Sequence, residues 1–259
     1  TMVEFGYPEH AIPHYRVKSH VHPENLVGDD EYCLLPNFRL PQHIHSRSAN
    51  AKWLAEIAHR NPIWIHPKDA AKLGIGEGDL LKIETEIGWF IDKVWVTEGI
   101  KPGVVGCSHH IGRWRRKQDS GNRYMTNEVE IEDLGDGKMR MRTTSGVRPW
   151  DSEDPDTNRV WWRDGGVHQN ITHAVQPDPI SGAHCWLQKV RLSKPDEGEE
   201  YGDIVVDKGK SFRYYKEWNI WARDREVHPR GERRPLWMKR PLSPKKSNWY
   251  IGEMRKNGP

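Results

Sequence analysis

The sequence predicts a mainly β protein built around one β-barrel. Two observations carry this. Between residues 63 and 105 the order of elements is strand, short helix, hairpin, turn, strand, which closes a barrel instead of winding β-α-β units. Within it, LLKIETEIGWFIDKVWVT alternates apolar and polar residues on both sides of Gly88, the pattern of two half-buried antiparallel strands.

Residues 1–30 hold Pro8, Pro13 and Pro23 and little periodicity, so they read as an extended lead-in segment. EYCLLPNFRL, 31–40, is a short apolar run ending before Pro41 and reads as a buried strand. In the following stretch Ala51, Leu54, Ala55 and Ala58 recur at helical spacing; Ser48 or Asn50 is the expected N-cap, and Asn61-Pro62 the stop. IWI is a strand. Pro67 suits a first helical turn, Asp69 places negative charge near that helix N-terminus, Leu73 closes the helix, and Gly74 supplies a left-handed cap. After the hairpin, EGIKPG turns the chain into the strand VVGCS.

Residues 115–165 are charged and turn-rich and read as a surface insertion, with one hairpin, EVEIEDLGDGKMRMRTT, folded at Gly135-Asp136-Gly137. WLQKVRL is the last expected barrel strand. Beyond it come an acidic loop, a helix over SFRYYKEWNIWARD and a basic, Pro-rich tail. The resulting division is a lead-in at 1–30, a barrel at 31–192 and a C-terminal extension at 193–259 that covers a partner surface or the rest of the protein.

Only 35% of residues are hydrophobic and mean hydropathy is −0.89, yet there are 13 Trp and 8 Tyr. Such aromatic content excludes a disordered chain and concentrates the apolar area in a few large side chains. The formal charge of +3 permits a polyanionic partner without indicating one. Cys33, Cys107 and Cys185 form no C-x-x-C pair, so neither a disulfide framework nor an iron-sulfur or zinc signature is present. No apolar run reaches eighteen residues, and the N-terminus lacks the pattern of a signal peptide; it reads as chain continuing from something longer.

VVGCSHHIGRWRR, 104–116, poses the functional question. His20/His22, His43/His45 and His109-His110 are close histidine pairs, and H-x-H on a strand suits a transition metal. No carboxylate or thiolate completes a set, so loop histidines bonded to backbone or ligand are expected, and no metal ligand. Cys107 beside His109 and His110 resembles a nucleophile with its base, but the spacing leaves no room for substrate; a small buried cysteine is expected. The remaining reading is a polar cradle. Its glycines let backbone approach a ligand, Arg suits phosphate and Trp114 offers a stacking face. HSRSAN at 45–50 and HQNIT at 168–172 are two further loops of the same character.

NPIWIHPKDAAKLGIGEGDLLKIETEIGWFIDKVWVTEGIKPGVV resembles the C-terminal molybdopterin-dinucleotide-binding domain of the DMSO-reductase family of molybdenum and tungsten enzymes. The matching positions are Pro67, Asp69, Ala70, Leu73, Gly74, Ile75, Gly78, Asp79, Pro102, Gly103 and Val105. HSRSANAKWL is similar to the family's His/Ser/Arg-rich loop, and NITHAVQPDPISG to its Asn-x-Leu-Thr and Asp-Pro-x-Ser stretch, with Ile171 in the Leu position. The resemblance spans 31–192 and departs from the shortest members at 115–165.

It implies a six-stranded double-psi β-barrel, with short helices, an inserted hairpin and a long C-terminal tail. It further implies cofactor contacts from His45, Ser46, Arg47, Ser48 and Asn50 in the first loop, His109, His110, Gly112, Arg113 and Trp114 in the second, and Asn170 and Thr172 in the third. The implied cofactor is molybdopterin guanine dinucleotide, as a bis-MGD pair with molybdenum or tungsten ligated outside this chain. Implied partners are the catalytic portion carrying the iron-sulfur cluster and metal ligand, and an iron-sulfur protein that transfers electrons. No nucleic acid and no membrane span are expected, and the family places such enzymes in the periplasm or at the cytoplasmic face of the cell membrane. No catalytic residue is expected within these residues. The alternative is a double-psi barrel without pterin, acting in protein or nucleic-acid interaction through the basic tail with Trp221, Trp237, Trp249 and Tyr250.

Overall fold

The structure is a computed structural model that describes residues 27–36, 40–43, 45, 51–118, 126–145, 164–174 and 186–223. Apart from the backbone of 217–223, these lie in one unit formed by residues 16–178 and 183–216. Most of the expected lead-in, the tail from 224 and most of the first loop lie outside the described residues.

Six strands close a barrel. β1 (Tyr32–Leu35), β2 (Ile63–Ile65), β3 (Leu80–Glu84), β4 (Gly88–Val96), β5 (Val104–Gly106) and β9 (Gln188–Ser193) pair in the spatial order β2, β5, β1, β9, β3, β4, and β4 returns to β2. Two of the pairings are parallel. Cys33 lies opposite Val104 between β1 and β5, and Trp64 opposite Trp95 between β2 and β4. Closure leaves these strands no unpaired edge within the ring.

The core follows from strand alternation. Leu34, Ile63, Ile65, Leu81, Ile83, Phe90, Val105 and Val190 are almost wholly enclosed. Burying such side chains contributes about 1.5–3 kcal/mol each before the entropy of ordering them is counted. Trp64 and Trp95 meet edge to face at 4.5 Å on the side away from the buried Ile63, Ile65 and Val94.

The helices are short. α2 (Pro67–Leu73) is built as its sequence dictates: Pro67 at the first position, Asp69 in the first turn and Gly74 at φ 63 as the C-cap. Its N-cap is His66, whose Nδ1 accepts from the Lys68 N–H at 3.1 Å. Asp69 does more than favour the helix end, since Oδ2 also accepts from the Gly103 N–H at 2.8 Å and so ties the helix to the turn before β5. α1 (Lys52–Ile57) differs from expectation. Its N-cap is Ala51 with no side-chain cap, and it ends at Ile57, short of Asn61-Pro62. Only Ala55 is buried, so a one-sided apolar stripe sufficient to extend the helix is lacking.

β6 (Trp114–Arg116), β7 (Asn127–Gly135), β8 (Lys138–Ser145) and β10 (Ile204–Asp207) continue the sheet outward from β4 in the order β10, β8, β7, β6. The β7–β8 turn is the expected Gly-Asp-Gly, with all three residues at positive φ. This hairpin is not only a surface insertion. Its outer part is exposed, with Ile131 and Leu134 above 40%, but Val129 and Met141 belong to the core. β10 falls where the sequence predicts an acidic loop. It forms because Ile204 and Val205 fill the space between β4 and β8, a tertiary demand that a four-residue run does not advertise.

Arg142 on β8 locks this extension. Its guanidinium forks onto the fully buried Asp203, Nε to Oδ1 at 2.7 Å and Nη2 to Oδ2 at 2.5 Å, and also donates to the Gly198 carbonyl at 2.7 Å. The 16-residue helix α3 (Lys208–Arg223) follows directly, starting three residues before the expected Ser211. No helix among the described residues is long and apolar enough to cross a membrane.

Candidate functional site

Three segments converge beyond the ends of β1, β5 and β2. The 107–114 loop continues from β5, residues 164–174 follow the hairpin, and His45 comes from the first loop. Two asparagines organise them. Asn61, 1% exposed, donates from Nδ2 to the Ser108 carbonyl at 2.7 Å and the Val167 carbonyl at 2.9 Å, while its Oδ1 accepts from the Val167 N–H at 2.8 Å. Asn127 does the same one step along, accepting from the Gly165 N–H at 2.7 Å and donating to the Gly166 carbonyl at 2.8 Å. An amide side chain offers a donor and an acceptor side by side, so each replaces a strand neighbour for an irregular backbone. Arg60 adds an ion pair to Asp164 at 3.2 Å.

Neither asparagine stands out in the sequence. Asn61 reads there only as a helix stop, and Asn127 falls within a surface insertion. Buried amides have no sequence signature that separates them from turn residues.

Gly112 sits at φ 91 and its N–H donates to the Gly165 carbonyl at 2.8 Å. A Cβ there would come within 2.4 Å of the Val167 carbon and the His168 nitrogen. Its place is therefore the contact between two loops, with no side chain to present to a ligand.

Gln169 begins a 3-10 turn, Gln169–Thr172, and is fully buried. Its Nε2 donates to the Cys107 carbonyl at 2.6 Å, a second bond between the two loops that the sequence did not signal. Thr172 is fully buried and spends its hydroxyl on the Gln169 carbonyl at 2.8 Å, so it shapes the turn. Asn170 is half-buried, and its Oδ1 is enclosed with no hydrogen-bond partner. An orphaned buried acceptor costs free energy unless a donor arrives, so Asn170 is suited to a ligand N–H.

The histidines form a group. His45, exposed and at φ 45, places its ring 4.7 Å from those of both His109 and His110, which are 4.5 Å from each other. One ligand-capable nitrogen of each lies within 4.8 Å of the others. His110 is 3% exposed, and its N–H bonds the Ser108 hydroxyl at 3.3 Å. His109 Nδ1 meets the Pro36 carbonyl at 3.0 Å. Because a carbonyl only accepts, Nδ1 carries the proton and Nε2 carries the lone pair of the neutral ring. Trp186 stacks on His109 at 5.5 Å and 29°, an aromatic wall absent from the expected set. His43 is buried and bonds the Ala58 carbonyl at 2.5 Å, fixing the chain just before His45.

Trp114 opens β6 and is 38% exposed, and Arg113 beside it is half-buried. Arg115, in contrast, pairs with Glu128 at 2.9 Å with both side chains largely covered, and so belongs to the sheet. Cys107 is fully buried, and burial, with the nearby Asp92 charge adding to it, pushes its thiol well up from the usual range. Its burial matches the small buried cysteine expected there. Ser46, Arg47, Ser48 and Asn50 lie outside the described residues. The structure thus gathers His45, His109 and His110, with Arg113, Trp114 and Asn170 on the same loops, and bonds Gly112 and Thr172 to loop backbone.

Residues 34–136 match the model of the molydopterin dinucleotide binding domain family. The chain is 36% identical over 91 residues to a Halobacterium salinarum protein assigned as the catalytic polypeptide of a dimethyl sulfoxide reductase; the match covers 34% of this chain and 10% of that protein. It is 34% identical over 103 residues to the trimethylamine-N-oxide reductase of Haemophilus influenzae, covering 37% and 12%. It is 28% identical over 113 residues to the molybdopterin-containing subunit of the arsenate respiratory reductase of Chrysiogenes arsenatis, covering 40% and 12%. The matched part therefore spans about a tenth of the length of these relatives. Acetylene hydratase from Pelobacter acetylenicus superposes with a TM-score of 0.45 at 15% identity, over 75% of this chain and 22% of that one.

Proposed function

We propose that this barrel, whose residues 34–136 match the molydopterin dinucleotide binding domain family, is such a domain of the DMSO-reductase family and holds the cofactor of a molybdenum or tungsten oxidoreductase completed by other domains. The observation that carries the reading is the convergence of the 107–114 and 164–174 loops with His45 on one side of the barrel, His45 and the 107–114 loop lying within the family match at 34–136.

The residues present fit such a cofactor. A pterin or guanine ring edge presents N–H donors, and Asn170 Oδ1 is a buried acceptor without a partner. A ring face suits the exposed indole of Trp114 and the wall that Trp186 and His109 form. We assign the pyrophosphate to Arg113, next to Trp114 in sequence, and to Arg47, Ser46, Ser48 and Asn50 of the first loop. When bound, the group supplies two-electron redox or oxygen-atom-transfer chemistry at a metal ligated outside this chain. The chain's own residues bind and orient it. His109 keeps its lone pair at Nε2 by donating its Nδ1–H to the Pro36 carbonyl, and the Asn61 and Asn127 clamps hold the two loops at a fixed separation.

The finer proposals follow the same reading. The barrel has double-psi topology; the cofactor is the bis form of the guanine dinucleotide. The partners are the portion bearing the iron-sulfur cluster and an iron-sulfur protein that transfers electrons, and the complex works in the periplasm or at the cytoplasmic face of the membrane. Residues 193–259 form an extension of the 31–192 barrel. The test is expression of these residues with and without the remaining catalytic portion. Dye-linked reductase activity and bound pterin should appear only in the combination; turnover of substrate by the 259-residue chain alone would overturn the proposal.

A further inference from the structure

We propose that His45, His109 and His110 form a three-imidazole site for a late first-row divalent cation of the zinc class, held by the protein when the dinucleotide is not seated. Only the condition that the dinucleotide is unseated rests on the cofactor reading; the cation itself is recognised by the imidazoles alone. Three arguments carry it.

The first is convergence. The three rings form a closed triangle, each 4.5–4.7 Å from the other two, and one ligand-capable nitrogen of each lies within 4.8 Å of the rest. Ring nitrogens bound to one ion at about 2.0–2.1 Å stand a little over 3 Å apart, so the three need only a small further approach, for which the exposed His45 ring has room.

The second is backbone geometry. His45 lies at φ 45, a left-handed conformation that costs a side-chain-bearing residue roughly 1–3 kcal/mol and persists where surrounding structure imposes it. Buried His43, bonded to the Ala58 carbonyl, anchors the chain two residues earlier.

The third is an outer partner. Histidines that ligate metals characteristically donate their second ring N–H to a carbonyl or carboxylate, which fixes the tautomer and aims the lone pair. His109 has this arrangement, with Nδ1 donating to the Pro36 carbonyl at 3.0 Å. Trp186 stacked on the same ring restricts its rotation.

The ligand set selects the cation. Three neutral imidazoles without a carboxylate favour zinc, copper, nickel or cobalt over magnesium or calcium, which require oxygen donors. Three protein ligands leave a fourth position open to water. The burial gradient, His45 exposed, His109 half-buried and His110 buried, gives the ion a path from solvent.

The test uses the full-length, cofactor-free protein, stripped with chelator and titrated with Zn2+ and, for its visible spectrum, Co2+. One ion per chain is expected, and His45→Gln or His109→Gln should weaken it at least about tenfold, the least that loss of even an outer partner costs. His59→Gln, outside the cluster, should leave it unchanged. Should a variant misfold by circular dichroism, X-ray absorption on the wild-type zinc form decides, with three imidazole nitrogens at about 2.0–2.1 Å expected. No stoichiometric ion, binding indifferent to His45 and His109, or a shell with fewer imidazoles or with thiolate sulfur would overturn the site.

Discussion

The side-chain amide of Asn61 is bonded twice to the backbone of Val167, 106 residues away, accepting from its N–H at 2.8 Å and donating to its carbonyl at 2.9 Å. A third bond reaches the Ser108 carbonyl, so one residue just before β2 joins the 107–114 and 164–174 loops. Asn61→Ala strands those backbone groups in a buried setting, where each costs about 1–3 kcal/mol. Urea unfolding should show a loss of at least about 3 kcal/mol, and Asn61→Asp, which keeps the acceptor and loses the donors, should not restore it.

Gly112 and Gly78 both have positive φ, near 91 and 79, but only Gly112 faces backbone within 2.4 Å. Gly112→Ala should therefore displace the 107–114 loop from residues 165–168 and lower the midpoint of thermal unfolding by several degrees. Gly78→Ala, in open space, should cost about 1 kcal/mol from its dihedral alone. Comparable losses in the two variants would contradict the close approach.

Arg142→Leu leaves the carboxylate of Asp203 buried without its fork. Because Arg142 itself is 27% exposed, the expected loss is roughly 2–4 kcal/mol, below the full cost of breaking a wholly buried pair. Arg142→Lys should recover less than half, since one ammonium cannot make both bonds. Hydrogen exchange should report the change first at β8 and β10.

Burial, only partly offset by the Lys93 N–H bond, raises the carboxyl of Asp92 well above its ordinary 3.8. The folded chain then keeps a proton that the unfolded chain releases above about pH 4, so this group costs stability progressively as pH rises from there towards the folded value. Asp92→Asn removes the penalty. Its unfolding midpoint should match wild type near pH 4 and exceed it increasingly as pH rises above that; a gap that is constant with pH would contradict the protonated state.

The barrel was legible because its signals are local. Pro67, Asp69 and Gly74 announce α2, and alternation around Gly88 announces β3 and β4. Gly135-Asp136-Gly137 likewise sets the hairpin turn. What escaped depends on distant partners. β10 exists because β4 and β8 need a strand between them, and Asn61, Asn127, Gln169 and Trp186 matter through contacts 38–106 residues away or across loops. Among the expected site residues, His45, His109 and His110 come together. Gly112 and Thr172 also hold the loops together, Gly112 by its close approach to Val167 and Thr172 by its bond to the Gln169 carbonyl, roles that residue type does not express.

The central claim is that these loops hold a pterin dinucleotide, and its most direct test is the dinucleotide content of the complete enzyme. Oxidised pterin and guanine nucleotide released per chain should be near stoichiometric in the wild type. Asn170→Ala and Trp186→Ala should cut the content several-fold while circular dichroism stays unchanged. Full dinucleotide content in both folded variants would contradict the assignment of this face of the barrel as the cofactor wall.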